Sequence, residues 1–401
     1  MSDPCRARPT ADCLAGLTLP DYRGGGIVNL MSSIVLARGG QAEYPPLRLL
    51  QPAELDGVTN VLLLVLDGLG ADWLARCSPG GVLDRHLRGT MTSVFPPTTA
   101  TAVTTYLTGE APQQHAVTGW FTYLRELGCV MAVLPGRPRC GGADYAQAGI
   151  DPRWLFGHRP LSERLATPAI TVSPAAIAHS GFNLAHLGRA RLRTFETLAG
   201  MFRQAAQALR ASTERKYLYL YWPKLDSIGH EQGIESRAAR RHLVEIEQAL
   251  ADFLVQAAGT DTLILVTADH GQIDTRPGDL VDLANHPELE ACLALPLCGE
   301  PRAAFCYLRP GRVQRFERYC GEVLGNKLDL WPSGDLLERG LFGLGAPHPR
   351  LRERIGDYTL IMRGSYVIRD RLPSEKPFRQ IGVHGGLSAP EIEVPLCVLR
   401  A

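Results

Sequence analysis

Three short apolar runs, each followed within four residues by a carboxylate, restrict this 401-residue chain more than anything else in it. Val61 to Leu66 leads straight into Asp67, Gly68 and Gly70; Tyr217 to Trp222 stops at Pro223, ahead of Asp226; Thr262 to Thr267 stops before Asp269, His270 and Gly271. A continuous apolar run of this length has no polar face, so it reads as a strand buried on both sides whose end delivers the polar residue to a loop. Between the runs, Phe195, Leu198, Phe202, Ala205 and Leu209, and then Leu243, Ile246, Leu250, Phe253 and Leu254, recur at three- and four-residue spacing, which predicts amphipathic helices. Strands alternating with helices give a doubly wound α/β fold, with a largely parallel central sheet and helices on both faces. Ligands of such sheets sit in the crevice beyond the carboxyl ends of the strands, where these polar residues fall.

Residues 1–59, rich in Gly, Pro and polar residues with one apolar patch around Ile27 to Val35, read as an irregular N-terminal arm. Residues 60–401 read as a single catalytic domain, with insertions over the site at about 120–190 and 273–380. With 42 Lys+Arg against 41 Asp+Glu the net charge is +1, so no global field draws the chain to nucleic acid or to an anionic membrane. Ten cysteines are scattered singly without a CxxC pair, often in apolar settings such as Cys129, Cys306 and Cys397, and read as free thiols. Met1 to Pro20 lacks a basic stretch followed by an apolar core, and no run approaches the roughly 18 apolar residues of a membrane span. The expectation is a cytoplasmic protein that works on a small molecule.

The strand ends carry Asp67, then Asp226 and His230 in Asp-Ser-Ile-Gly-His, then Asp269 and His270, and a late His-Gly-Gly supplies His384. Three carboxylates and three imidazoles form a mixed oxygen and nitrogen donor set that suits Zn²⁺ or a related first-row metal, and six ligands divide between two ions. Histidines 86, 115, 158, 286 and 348 lie outside the strand-end pattern and are expected to be structural or on the surface. A second element, Ser93-Val94-Phe95-Pro96-Pro97-Thr98-Thr99-Ala100-Thr101-Ala102, puts two adjacent hydroxyls at a helix start. There a hydroxyl either caps backbone amides or meets a phosphoryl group held by them, and Thr98 and Thr99 both qualify.

Taken in order, strand-Asp-Gly, a helix-start hydroxyl, Thr108-Gly109, Asp-x-x-Gly-His, Asp-His-Gly and a late His-Gly resemble the alkaline phosphatase superfamily, within it the type I phosphodiesterases or nucleotide pyrophosphatases. The resemblance implies Thr99 as nucleophile, Asp67, Thr99, Asp269 and His270 around one metal, and Asp226, His230 and His384 around the other. It implies two divalent ions, zinc by family habit, and cleavage of phosphodiester or pyrophosphate bonds through a phosphothreonine. Related alternatives are a phosphomonoesterase, a phosphonoacetate hydrolase-like enzyme, or a non-catalytic metal-binding protein of PglZ type, which the ending His384-Gly385-Gly386 with Pro390-Glu391-Ile392 resembles. Where the nucleotide pyrophosphatases carry a phosphoryl-binding asparagine, this chain has Trp120, so the resemblance carries no nucleobase specificity over.

Overall fold

The computed structural model describes residues 16–373 and 375–401. At the centre of a seven-stranded sheet lies Asn60–Leu66, paired in parallel with Lys216–Trp222 on one side and Thr262–Thr267 on the other. All three strands are buried at every residue, which is why each appears in sequence as an unbroken apolar run. Ala169–Pro174 and Arg191–Phe195 extend the parallel part, and Glu393–Arg400 and Leu87–Thr92 close the other edge as an antiparallel pair. The fold is the doubly wound α/β architecture expected.

The helices Leu198–Arg210 and Arg237–Ala257 pack on each other beside this sheet and bury Phe202 and Leu209, and Leu243, Ile246, Leu250 and Phe253. Their starts are capped by Thr197 and Ser236, whose hydroxyls accept from the Gly200 and Ala239 amides at 3.1 Å each. Phe195, expected in the first helix, instead ends the preceding strand.

Two expectations about organisation change. The stretch expected as an irregular arm contains the helix Ile27–Ala37, with Ile27, Val28, Leu30, Met31 and Ile34 wholly buried against the helix Thr99–Thr108; residues 1–15 of that stretch lie outside the described residues. This helix is apolar nearly all round, so it shows no amphipathic period to read. The stretches expected as insertions are also more ordered than that description: Ala169–Pro174 from the first belongs to the central sheet. Phe121–Leu124, Cys129–Ala132 and Arg137–Pro138 join Cys298–Glu300, Ala303–Cys306, Leu328–Pro332 and Tyr358–Met362 in a second, antiparallel seven-stranded sheet.

A buried ion pair ties this second sheet to the first. Arg302, in the turn after Cys298–Glu300, donates from Nε and Nη2 to the two oxygens of Glu391 at 3.0 and 2.8 Å, and both side chains are almost wholly out of solvent. Glu391 also accepts from the Gly386 amide at 2.8 Å and the Ser388 hydroxyl at 2.6 Å, and its carbonyl accepts from the Gly271 amide at 2.8 Å. Burial opposes ionisation of this carboxyl, yet Arg302, Ser388 and the Gly386 amide together hold it below the usual value of 4.5. Glu391→Gln should therefore cost about 3–5 kcal/mol in urea unfolding, because it leaves the Arg302 charge buried without a counter-charge. Replacing both partners by apolar residues should cost much less. The folded pKa lies below the unfolded one, so the wild type should keep this contribution above about pH 4.5 and lose it as the pH falls further, and thermal midpoints measured across that range should show a limb that the double variant lacks.

Candidate metal centre and active site

The site stands at the carboxyl ends of the three central strands. Asp67 follows Leu66 directly and its Oδ2 accepts a short hydrogen bond from the Tyr221 hydroxyl of the neighbouring strand. The chain turns away at Gly68, whose φ of +81° a side chain would strain and whose Cα hydrogen faces the Asp226 backbone. Asp226 and His230 lie not at a strand end but one turn apart on the helix Lys224–Gln232, so that they share a face, with His230 Nε2 3.3 Å from Asp226 Oδ2. Asp269 and His270 follow Thr262–Thr267, and the next residue must be glycine: a Cβ on Gly271 would lie 2.1 Å from the Pro390 carbonyl oxygen. His384 comes from the loop held by Glu391, and its ring stacks on His270 at 3.7 Å between centroids.

All seven residues expected from the sequence come together here. Asp226, His230 and His384 form one group whose donor atoms lie within 4.8 Å of one another, and Asp67, Asp226 and His270 form a second. Asp226 belongs to both, a sharing that the sequence did not show. Asp269 Oδ2 lies 3.5 Å from His270 Nε2 at the edge of the second group, and Thr99 Oγ1 lies 3.2 Å from the same nitrogen.

The donor atoms are oriented for cations. Each ring presents Nδ1 to a backbone carbonyl, His230 to Gly382 at 2.7 Å, His270 to Gly271 at 3.0 Å and His384 to Pro97 at 3.2 Å. A carbonyl only accepts, so Nδ1 is the protonated nitrogen and Nε2, turned toward the carboxylates, is the one able to offer a lone pair to a cation. Asp67 Oδ1 and Asp269 Oδ2 are buried with no hydrogen-bond partner among the described residues, an arrangement that costs free energy unless a cation fills it. Burial, reinforced by the Asp269 and Asp226 carboxylates, pushes Asp67 well above the ordinary carboxyl range, and burial raises Asp269 as well. Burial and the His270 and His230 rings drive His384 well below 6.5. Two divalent-metal-binding clusters fit these residues.

Several residues of the site were not anticipated. Gln272 donates to the Asp226 carboxylate through a short hydrogen bond, and Glu300 accepts from the Thr98 hydroxyl and the Trp120 amide, both at 2.7 Å. Thr98 is the residue before the helix, but its hydroxyl is turned to Glu300 and caps no amide. Histidines 115 and 158 stand apart as expected, with His158 bonded to His186 Nε2 at 2.8 Å and to the His115 carbonyl at 2.7 Å.

Two clefts border Thr99 and share it, Trp120 and Asp226 in their linings. One, of about 830 Å³, runs from Asp67 past Val103, Leu107, Phe182 and Leu192, and the other, of about 480 Å³, runs from His230 and His384 past Phe121, Arg369 and Phe378. Trp120 lines both.

The family model for type I phosphodiesterase / nucleotide pyrophosphatase matches residues 61–386. The chain belongs to this family. It is thus a metal-dependent phosphoester hydrolase of the alkaline phosphatase superfamily, and its substrates are small phosphoesters. Among solved structures it is similar to murine ectonucleotide pyrophosphatase/phosphodiesterase 5, at 15% identity and a TM-score of 0.64 over 84% of this chain and 87% of that one. The human counterpart gives 14% and 0.65 over the same shares. Phosphonoacetate hydrolase from Sinorhizobium meliloti 1021 gives 18% and 0.57, over 84% and 89%. A comparison with curated proteins finds no match. The cytoplasmic expectation does not stand, because the similar mammalian structures are ecto-enzymes by name. The thiols behind that expectation do not report on compartment: Cys306 and Cys397 are buried, and burial raises their pKa, which lowers their reactivity. No helix among the described residues is long and apolar enough to cross a membrane.

Because Asp226 serves both clusters, Asp226→Asn should weaken both metal equivalents, by roughly 10- to 100-fold in calorimetric titration. His348→Gln should leave metal content unchanged. Stoichiometric metal should also raise the thermal midpoint of the wild type by several degrees, and a chelator should reverse the shift.

Proposed function

We propose that this protein cleaves phosphodiester or pyrophosphate bonds with Thr99 as nucleophile, through a phosphothreonine, and that its two ions are zinc. The observation that carries this reading is the position of the Thr99 hydroxyl, 3.2 Å from His270 Nε2, at the first turn of the helix Thr99–Thr108 and on the wall between the two clefts. Since Thr98 caps nothing with its side chain, the first amides of that helix are left without a side-chain partner, where they and the positive helix end suit a phosphoryl oxygen. A threonine-to-alanine form of the murine relative is inactive and is solved in complex with AMP. Imidazole nitrogens and carboxylates in groups of this size favour zinc over calcium or magnesium.

Diester favours over monoester for a reason of space. A monoester leaves phosphorus with no second organic substituent, whereas the 830 Å³ cleft beside Asp67 offers an apolar chamber to one. Trp120, 38% exposed at the boundary, gives that substituent a flat face to stack on, in keeping with weak discrimination among bases.

Asp226, His230 and His384, and Asp67, Asp226 and His270, would hold divalent cations, which when bound would lower the pKa of an attacking hydroxyl and offset negative charge on a departing oxygen. Thr99 Oγ1 gives up its proton to solvent and bonds to phosphorus as the opposite ester bond breaks, and the departing oxygen leaves with the bonding pair and takes up a proton from solvent. Glu300 holds Trp120 and Thr98 in place beside it through their hydrogen bonds. Water then cleaves the phosphothreonine and restores the hydroxyl.

Thr99→Ala should lower kcat by several orders of magnitude while leaving metal content near wild type, and Thr99→Ser should keep measurable turnover. Rapid quenching and peptide mass spectrometry should find phosphate on Thr99; phosphate on Thr98 would overturn the assignment. Bis-p-nitrophenyl phosphate should be hydrolysed with a higher kcat/KM than p-nitrophenyl phosphate, and the reverse order would favour a monoesterase.

A further inference from the structure

Gln272 is a buried amide at the meeting point of the three segments that carry His270, Asp226 with His230, and His384. It precedes the strand Ile273–Asp274, which pairs antiparallel with Gly382–Val383, and the same register continued by one residue sets it opposite His384. Its Nε2 donates to the Asp226 carbonyl at 3.2 Å and, through a short hydrogen bond, to Asp226 Oδ1. Both of these partners only accept, so the amide cannot be turned the other way round. Its Oε1 is then left buried without a donor among the described residues. That oxygen fills a slot between two glycines: a Cβ on Gly229 would lie 1.8 Å from it and one on Gly382 2.6 Å. Gly229 belongs to the helix of Asp226 and His230, and Gly382 stands two residues before His384, with its carbonyl on His230 Nδ1. The chain just past that helix is held separately, by Asp274 accepting from the Ile234 amide at 2.7 Å.

A glutamine kept at 3% exposure with an unpaired carbonyl oxygen loses solvation that a hydrocarbon side chain in its place would not have to give up. What the amide supplies, and a hydrocarbon could not, is a donor to the one carboxylate that both clusters share. The donor is neutral, so it orients Asp226 without offsetting the negative charge that attracts cations, as a lysine or arginine there would. We propose that Gln272 is a positioning residue of the metal centre: by holding Asp226 it sets the affinity of both clusters for divalent ions, and the glycine of Asp-Ser-Ile-Gly-His admits it to its slot. The inference rests on the two clusters and not on the reaction at Thr99.

The test titrates metal-free protein with Zn²⁺ by calorimetry against a competing chelator. Gln272→Met fills the slot but removes the donor, and should weaken both metal equivalents roughly tenfold or more. Gly229→Ala keeps the glutamine but drives its amide out of the slot, and should give a loss of similar size; if Gln272→Met does not fold, this variant carries the test. In the double variant the two losses should not add, because the second substitution removes an interaction that the first has already broken. Co²⁺ supplies a signature that a packing role would not move: the visible spectrum of the Co²⁺-loaded protein should differ between Gln272→Met and the wild type, since the carboxylate common to both ions is no longer fixed. Affinities within about twofold of wild type, losses that add, or an unchanged Co²⁺ spectrum would overturn the proposal. No readout passes through Thr99, so failure of the phosphothreonine reading and failure of this one are seen separately.

Discussion

The bidentate pair between Arg302 and Glu391 is the joint on which the site depends. The central sheet supplies Asp67, Asp269 and His270 by itself, whereas His384 follows the short strand Gly382–Val383, paired with Ile273–Asp274, and the loop after it is held to Glu391 through the Gly386 amide and Ser388. The Glu391 carbonyl also holds the Gly271 amide, which fixes the loop of His270 against the same residue. Rings from two distant parts of the chain stack at 3.7 Å where the strand pair Ile273–Asp274 and Gly382–Val383 brings the two loops together, and one glutamate bonds to both loops and, through Arg302, to the second sheet. A buried ion pair is weak evidence for net stability. Its value here is positional.

Some of this was legible in the sequence for a simple reason. An apolar strand in a parallel sheet can end only where the polar crevice begins, so Asp67, Asp269 and His270 announced themselves, and the glycines after them marked the tight turns. Asp226 and His230 were found by the same reasoning although they lie on a helix, because four residues along a helix bring side chains to one face as surely as a strand end does. The sharing of Asp226 between the clusters was beyond reach, since it depends on where the helix Lys224–Gln232 sits against the sheet.

Other parts were hidden for physical reasons. The strands of the second sheet are short, and its two halves meet at Phe121 and Gly299, so neither periodicity nor local turn chemistry announces the pairing. The helix Ile27–Ala37 gave no pattern because both its faces are buried. Glu300 sits in ordinary surroundings in the sequence and acquires meaning only when the fold brings it beside Thr98 and Trp120. Trp120 was visible as a difference from the family, but not its place between two clefts.

That placement has a chemical consequence. A phosphodiester has two ester bonds, either of which a nucleophile can break, and an attack in line expels whichever group lies opposite. Here the larger, mainly apolar chamber and the smaller, charged cleft both border Thr99 and offer different surroundings to the two substituents. In this reading the regiochemistry of cleavage is set before any bond changes, by which end of an unsymmetrical substrate each cleft accepts, and the stability of the leaving group comes second to the polarity of its seat.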